Sequence, residues 1–476
     1  MNVSKLIQNT SIKFGTSGAR GLAADFTQHI CAAFAMAFIE HGKRCGKLSN
    51  DNLCVAIGID NRPSSFAMAQ SVAAGLVAIG FDYEFEGVLP TPALAYAAMQ
   101  RGQASIMVTG SHIPFDRNGL KFYYPKGEIT KLDEQGILSQ SSELSDELNV
   151  PELIECESAK NTYINRYLTY FSELDLTGKK IGVYTHSSAG RDLYLRLLQQ
   201  FGATVVELGR SETFVPIDTE AVSKEDQQTA KVWANELNLD AIVSTDGDGD
   251  RPLVADEFGN WLRGDVLGLI VSQLLKIEAL SVPINCNSAI ELSGFFQQVA
   301  RTKIGSPFVI EAFAQLQKHY KVVAGFEANG GFLLASDIDE SGKLLSALPT
   351  RDALLPILVV LAQLSKLPIS RLANALPKRF TVSTKIESVP SKVGLAFLSA
   401  LQTDAEKTLS TLGITQRVSQ VDNTDGVRLY LSNNDTVHFR SSGNAPEMRC
   451  YIESDSQQSA DKLLQALKKQ LVTLLT

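Results

Sequence analysis

The sequence predicts an α/β protein: three successive α/β domains with mixed, mostly parallel sheets, then a C-terminal α+β domain. Three observations lead there. Short apolar runs alternate with amphipathic stretches in three successive blocks, the rhythm of strand, loop and covering helix. From about residue 378 the pattern changes to strands joined by polar turns and closes on one amphipathic helix. The length, 476 residues, suits three or four domains of ~100–200 residues each. The expected domains are 1–156, 157–264, 265–372 and 373–476.

In the first block, residues 14–21 read Phe-Gly-Thr-Ser-Gly-Ala-Arg-Gly. Three glycines in eight residues require a tight loop. Arg20 within it is either a fork for phosphate or carboxylate or a solvated surface arginine. Ile30, Ala33, Phe34, Ala37, Phe38 and Ile39 fall on one face of a helix. A strand over 53–59 ends in Asp60-Asn61-Arg62-Pro63-Ser64-Ser65, and a helix spans 66–79. Pro90-Thr91-Pro92 marks a rigid loop before another helix. The apolar run 105–108 reads as a buried strand that empties into a loop rich in groups that bind or carry phosphate: Thr109, Gly110, Ser111, His112, Asn118, Gly119 and Lys121. Gly110 lets the backbone approach a ligand, and Pro114 stops the chain from continuing as strand or helix. Ser111 is expected to be exposed and rigidly held. The plain alternative is a polar turn whose serine bonds only to backbone.

The second block has strands at 180–184, 203–208 and 241–244 and helices at 193–201 and 227–237. The third has helices at 266–275 and 292–300 and strands at 282–285 and 320–324. Strands at 427–431 and 436–440 and a helix at 459–475 belong to the last domain.

Net charge is −8, which argues against general nucleic-acid or membrane-surface binding yet leaves room for a small anionic ligand held by local cations. The six cysteines form no CxxC pair and read as reduced thiols. The first fifteen residues hold no apolar signal core, and the most apolar run, 353–361, is about half a membrane span, so a cytoplasmic protein is expected.

Three more loops carry chemistry. Asp246-Gly-Asp-Gly-Asp-Arg251 sets three carboxylates at alternate positions, a donor set for Mg²⁺ or Ca²⁺. Glu257 occupies the twelfth position of a would-be EF-hand, but Arg251 stands where that loop needs glycine, and strands flank it. Gly325-Phe-Glu-Ala-Asn-Gly-Gly331 offers Glu327 and Asn329 to one sugar if the loop is extended, or is a glycine-rich turn. Arg440-Ser-Ser-Gly-Asn-Ala-Pro-Glu447 is a plausible phosphate cradle, or an ordinary polar turn.

Taken together and in this order, the loops resemble those of the α-D-phosphohexomutase superfamily, most closely its bacterial phosphomannomutase branch. The family's FGT-G-RG loop is matched at 14–21, T-[AG]-S-H-x-P at 109–114, NG-K-F at 118–122, DGDxDR at 246–251 and R-x-SG-x-x-P-E at 440–447. The sugar loop departs from the usual GExSGH: Phe326 precedes Glu327, Asn329 replaces the serine, and no histidine follows.

The resemblance implies four domains around a central cleft, one loop from each. It implies a phosphorylated Ser111 as phosphoryl donor, with Mg²⁺ held by Asp246, Asp248, Asp250 and a phosphate oxygen on Ser111. Arg20 and Lys121 would bracket the reacting oxygen and assist proton transfer. Arg251 would stabilise the phosphoryl group, and His112 would donate to the phosphate or support the loop. Glu327 and Asn329 would hold sugar hydroxyls, and Arg440, Ser441, Ser442, Gly443 and Asn444 the distal phosphate. The implied reaction interconverts mannose 6-phosphate and mannose 1-phosphate through a hexose 1,6-bisphosphate, which also serves as activator, in a monomer or homodimer. Glucose or glucosamine phosphate is the alternative substrate, and a non-catalytic phosphosugar-binding protein the alternative class.

Overall fold

The computed structural model describes residues 1–15, 17–49, 52–340, 342–441 and 446–475. Among them are four principal sheets, taken in turn along the chain. The first runs in the order Lys13–Phe14, Ala19–Leu22, Arg117–Tyr124, Ala104–Val108, Cys54–Ile59, Asp82–Val88, with Gly127–Glu128 beside Arg117–Tyr124. Its centre is parallel: Cys54–Ile59 lies between Asp82–Val88 and Ala104–Val108, with Ile57 opposite Ile106. Ala104–Val108 then pairs antiparallel with Arg117–Tyr124, placing Met107 opposite Lys121. The chain between those two strands carries Ser111.

Helices pack against this sheet and one another; Gln28–Arg44 is buried continuously from Ile30 to Ile39, not on the one face expected from the sequence. That helix and Ser65–Ala78 meet at glycine: a Cβ on Gly75 would lie 2.6 Å from the Ala32 carbonyl oxygen. Pro90-Thr91-Pro92 is not a separate loop. Pro90 caps the helix Thr91–Gln100 and Pro92 sits in its first turn, where a missing N–H costs nothing.

The second sheet is ordered Pro252–Ala255, Ala241–Thr245, Lys180–Tyr184, Thr204–Leu208, and only its first pairing is antiparallel. The third is ordered Gln298–Thr302, Ala279–Pro283, Val323–Phe326, Phe332–Leu334, Leu348–Asp352, parallel at its first two pairings. All three sheets are mixed, as the sequence predicts, but the first is not mostly parallel: the chain after Ala104–Val108 turns straight back, so only its two pairings with Cys54–Ile59 are parallel.

One local expectation fails. The helix expected over 292–300 is a single turn, Ala289–Leu292, followed by the strand Gln298–Thr302. Gly294 at φ +65° ends the helical path, and Phe295 is exposed, so the two phenylalanines there do not mark a buried helix face. The neighbouring strands also shift: 282–285 is replaced by Ala279–Pro283 and 320–324 by Val323–Phe326.

The last sheet is wholly antiparallel: Phe380–Glu387, Glu447–Ser454, Thr436–Ser441, Val427–Leu431, Val418–Asp422. Ser391–Thr403, Ala405–Thr411 and the amphipathic Gln457–Leu475 complete the α+β unit.

Hydrophobic packing divides the molecule unequally. One continuous core joins Met107 and Ala93 of the first unit, Tyr163, Ile181 and Val243 of the second, and Leu267, Phe326 and Leu358 of the third. The apolar run 353–361 lies inside this core as the helix Leu354–Leu361. The fourth unit has its own core, from Ile386 to Leu475. It meets the third through polar groups: Asn287 donates to the Arg379 carbonyl and to Thr381, Ser288 bonds Glu453, and Arg428 donates to the Ile284 carbonyl. Among the described residues no helix is long and apolar enough to cross a membrane, and all six cysteines are free thiols.

His438 sits in this last sheet, buried, with Nε2 2.6 Å from the Asp425 carbonyl oxygen, so Nε2 carries the proton and donates. Burial pushes its pKa from 6.5 down to about 4, and Arg428 beside it adds to the effect. The unfolded chain therefore binds a proton that the fold refuses. Stability is full above pH 6.5 and falls as pH drops toward 4, at up to ~1.4 kcal/mol per pH unit for this group. His438→Gln keeps a donor for the carbonyl without the titration. Its thermal midpoint is expected to fall less than the parent's between about pH 6.5 and 4.5; equal losses would refute the assignment.

Candidate active site

The loops expected to carry chemistry leave the carboxyl ends of buried strands, where ligands gather in open α/β sheets. After Ala104–Val108, Ser111 adopts φ +55°, a left-handed conformation rare for a residue with a side chain. Its surroundings hold it there. The Ser111 N–H donates to Thr109 Oγ1 at 2.8 Å, and Thr109 Oγ1 donates to Asp60 Oδ2 at 2.7 Å. Asp60 also accepts from Ser65 at 2.6 Å and from Arg62 Nε at 3.1 Å.

The Arg62 guanidinium then donates to four backbone carbonyls of the loop: Ser111 at 2.7 Å, Ile113 at 2.5 Å, Pro114 at 2.7 Å and Arg117 at 2.9 Å. Gly110 makes room for it, since a Cβ there would lie 2.6 Å from Arg62 Cζ. Ser111 is not exposed, as the sequence suggested; it is fully buried, with Oγ donating to Asp246 Oδ2 at 2.7 Å. The loop of the second unit covers it: a Cβ on Gly247 would lie 2.7 Å from the Ser111 carbonyl oxygen. Asn118 lends its amide to Ser64 and Ser65 and so serves the loop itself.

Asp246, Asp248 and Asp250 leave the fully buried strand Ala241–Thr245 and are themselves buried. Gly249 at φ +69° turns the chain back into Pro252–Ala255. Asp246 Oδ1 accepts from the N–H groups of Asp250 and Arg251, at 3.2 and 3.3 Å. Asp248 Oδ2 accepts from Thr91 Oγ1 and Lys121 Nζ, both at 2.6 Å. Asp250 Oδ2 accepts from Lys121 Nζ at 2.6 Å and Arg351 Nε at 3.0 Å.

One oxygen from each of the three carboxylates lies within 4.8 Å of the others. Asp248 Oδ1 and Asp250 Oδ1 are buried without a hydrogen-bond partner among the described residues. Hard oxygen donors left unpartnered in this way fit a divalent cation such as Mg²⁺. Glu257 plays no part there: it bonds the backbone and hydroxyl of Ser370.

Charge sets the protonation of the group. Burial, with the charges of Asp248 and Asp250, pushes Asp246 up to about 8. Burial acts the same way on Asp250, but Arg351, Lys121 and Arg251 outweigh it and hold that carboxyl well below the usual range. His112 Nδ1 accepts from the Arg251 guanidinium at 2.8 Å. Burial, Arg251 and Arg20 push its pKa down to about 2, so the imidazole stays neutral, with its proton on Nε2. Ser111 Oγ pairs with Asp246 and His112 Nδ1 with Arg251, so the two neighbours do not form a Ser–His dyad. Arg20, in Ala19–Leu22, donates to the Gly110 carbonyl at 3.4 Å. Burial and Arg251 lower its pKa to about 10, and it remains cationic at neutral pH.

Glu327 and Asn329 leave the strand Val323–Phe326 in a tight turn, not an extended loop. The Gly330 N–H donates to the Glu327 carbonyl at 2.9 Å, and Asn329 Oδ1 accepts from the Gly331 N–H at 2.9 Å. Glu327 Oε2 accepts from Arg351 NH1 at 3.1 Å. Phe326 ends the strand and is core, stacked on Phe332.

Arg440 pairs with Asp425 at 2.9 Å, and Asp425 accepts from the Ile304 N–H of the third unit. Among the described residues no hydrogen bond or ion pair joins Arg440 to the carboxylate cluster. Ser441 ends the strand Thr436–Ser441, while Ser442, Gly443 and Asn444 lie outside the described residues.

The structure thus brings Ser111, His112, Lys121, Arg20, Arg251 and the three aspartates together, links Glu327 to them, and leaves Arg440 apart. Sequence reasoning passed over Arg62, Thr91 and Arg351. The only signal for the last was an Arg-Asp pair set directly against the most apolar run of the chain.

The chain is similar to known proteins over nearly its whole length. Three models of the phosphoglucomutase/phosphomannomutase family, alpha/beta/alpha domains I, II and III, match residues 11–147, 161–259 and 264–380. A phosphomannomutase of Salmonella muenchen is 49% identical over 467 residues, covering 98% of this chain and 97% of the relative. One of Sinorhizobium fredii is 43% identical over 465 residues, covering 95% and 97%. The crystal structure of a phosphoglucomutase/phosphomannomutase family protein from Burkholderia thailandensis superimposes with a TM-score of 0.74 at 19% identity, covering 96% and 97% of the two chains. The chain therefore belongs to the phosphoglucomutase/phosphomannomutase family of α-D-phosphohexomutases, isomerases that act by phosphoryl transfer.

Proposed function

We propose that the protein interconverts mannose 6-phosphate and mannose 1-phosphate, with Ser111 as the carrier of the phosphoryl group. The observation that carries this reading is the Ser111 hydroxyl, bonded to Asp246 inside a buried cluster of three carboxylates and Lys121. The phosphomannomutases at 49% and 43% identity support the choice of sugar. The proposed limits of the four domains are 156, 264 and 372. The setting is cytoplasmic, in a monomer or homodimer.

In the forward half-reaction the Oγ–P bond of phosphorylated Ser111 breaks as a P–O6 bond forms to a hexose 1-phosphate. The O6 proton is taken up on Ser111 Oγ, which is left as a hydroxyl bonded to Asp246. The hexose 1,6-bisphosphate then turns end for end and returns its O1 phosphoryl group to Ser111, whose proton ends on the departing O1. Hexose 6-phosphate is then released. Added bisphosphate primes the unphosphorylated enzyme by the same second step.

Asp246, Asp248 and Asp250 are the residues that hold Mg²⁺, which when bound supplies positive charge to the transferring phosphoryl group. Arg20 and Lys121 place positive charge at the reacting oxygen. Lys121 is the one able to exchange a proton with it, since arginine keeps its proton. Arg251 faces the phosphoryl group with its orientation fixed by His112. Glu327 and Asn329 take sugar hydroxyls, and Arg440 with Ser441, Ser442, Gly443 and Asn444 holds the phosphate that does not react. A distal phosphate site suits the turnover, because both orientations of the bisphosphate present a phosphate to it.

Two variants test the reading. Ser111→Ala is expected to abolish turnover of mannose 1-phosphate and uptake of label from hexose 1,6-bisphosphate, with an unchanged circular dichroism spectrum. Activity near the parent's would remove Ser111 from its role. Arg62→Met leaves Asp60 buried without its cation and frees the loop carbonyls. Urea unfolding is expected to show a loss of about 3–5 kcal/mol, and a loss under ~1 kcal/mol would show that the clamp is not holding the loop.

A further inference from the structure

The geometry points to Arg351 as a positioning residue that ties the carboxylate loop of the second unit to the sugar loop of the third. One guanidinium fixes the orientations of Asp250 and Glu327 together. The inference rests on the proposed mutase reading and deepens it.

Arg351 stands one residue before the end of the strand Leu348–Asp352 and is 1% exposed. Its Nε donates to Asp250 Oδ2 at 3.0 Å, while NH1 donates to Glu327 Oε2 at 3.1 Å and to Ser306 Oγ at 2.8 Å. Ser306 in turn reaches Glu128 of the first unit at 3.2 Å, and Thr350, next to Arg351, donates to the other oxygen of Glu128 at 2.5 Å. Three units therefore meet on one side chain and its neighbours.

The sugar loop is shaped around the arginine. A Cβ on Gly331 would lie 2.5 Å from Arg351 Cδ and 2.7 Å from Cγ, so glycine is required where the aliphatic stem passes. Holding two carboxylates from different loops at once needs donors in a fixed planar fork. Lysine supplies the charge but not the fork. A displacement of Glu327 is then transmitted through the guanidinium to Asp250, and the reverse. An arginine that served only to neutralise buried charge would not link the two loops in this way.

The experiment uses the full chain and two readouts. Mn²⁺ binding to the unliganded protein is followed by electron paramagnetic resonance. Steady-state kinetics use whichever of mannose, glucose or glucosamine 1-phosphate the parent turns over. Arg351→Lys is expected to lower kcat/KM about tenfold or more, chiefly through KM, and to shift the Mn²⁺ dissociation constant about threefold or more. Glu327→Gln, although Glu327 is no cation ligand, is expected to shift Mn²⁺ binding in the parent and to have no further effect in the Arg351→Lys background.

Parental kinetics and Mn²⁺ affinity in Arg351→Lys would overturn the inference. So would a Glu327→Gln effect on Mn²⁺ of the same size in both backgrounds. If Arg351→Lys melts below the assay temperature, Ser306→Ala takes its place. It removes one contact of the same NH1 without changing charge, and must shift Mn²⁺ binding about twofold or more in the same cycle with Glu327→Gln; no shift would overturn the inference. The Mn²⁺ readout needs no turnover. A parent inactive on all three sugars would sink the mutase reading while the cycle still decides the role of Arg351.

Discussion

Three carboxylates, Asp248, Asp250 and Glu327, are buried and accept hydrogen bonds from Lys121 and Arg351, with Asp246 buried beside them, and the fold around the site follows from that fact. An ionised carboxylate away from water costs several kcal/mol unless a counter-charge is close and well aligned. Here the counter-charges come from separate stretches of chain. Lys121 belongs to the first unit, Arg251 to the second and Arg351 to the third. The second unit does not bury its aspartate loop alone, since Asp248 and Asp250 take Lys121 from the first unit and Asp250 takes Arg351 from the third. The continuous apolar core beneath them supplies the area that holds the three together, and the charge pairs supply the direction.

The Ser111 loop shows the same division of labour at smaller scale. A left-handed serine is disfavoured by about 1–2 kcal/mol, so something must outweigh it. Arg62 does, by drawing four carbonyls toward one guanidinium that Asp60 anchors. Its face also lies 3.9 Å from the Phe214 ring of the second unit, so the support for the loop is shared across the junction. The result is a hydroxyl aimed at Asp246 in place of a strand that continues. Local strain at a site of chemistry is often held by its surroundings in this manner.

Much of this was legible in the sequence, for a physical reason. A loop that must make a tight turn, expose backbone and carry several polar groups concentrates glycine, carboxylate and hydroxyl within six or eight residues. The stretches 109–114 and 246–251 are of that kind. The strands that feed them are short, apolar and bounded by such loops, so the α/β rhythm was legible too. Arg62, Thr91 and Arg351 were not, because each is a single residue whose importance lies in a partner 49 to 157 positions away. Periodicity and spacing report local geometry and are blind to such pairs. The burial of Ser111 was missed for the same reason: the covering comes from Gly247 and its loop, in another unit. The helix expected over 292–300 was a different error, in which apolar content outweighed Gly294.

The fourth unit stands apart because it is attached by different physics. Its core is its own, and its contacts with the third unit include directional pairs: Ser288 on Glu453, Asn287 on the Arg379 carbonyl, Arg428 on the Ile284 carbonyl, and the Ile304 N–H on Asp425. Interfaces of this polar kind bury little apolar surface and resemble those between separable partners. The division matches the demands of a phosphohexomutase reaction. Under the proposed mechanism the groups around the transferring phosphoryl need fixed distances, and they sit in the three units that share one apolar core, beside the first unit's own. The phosphate that does not react needs only to be held, in either orientation of the bisphosphate. A loop on a unit joined by orientable hydrogen bonds can meet that need without disturbing the carboxylate cluster.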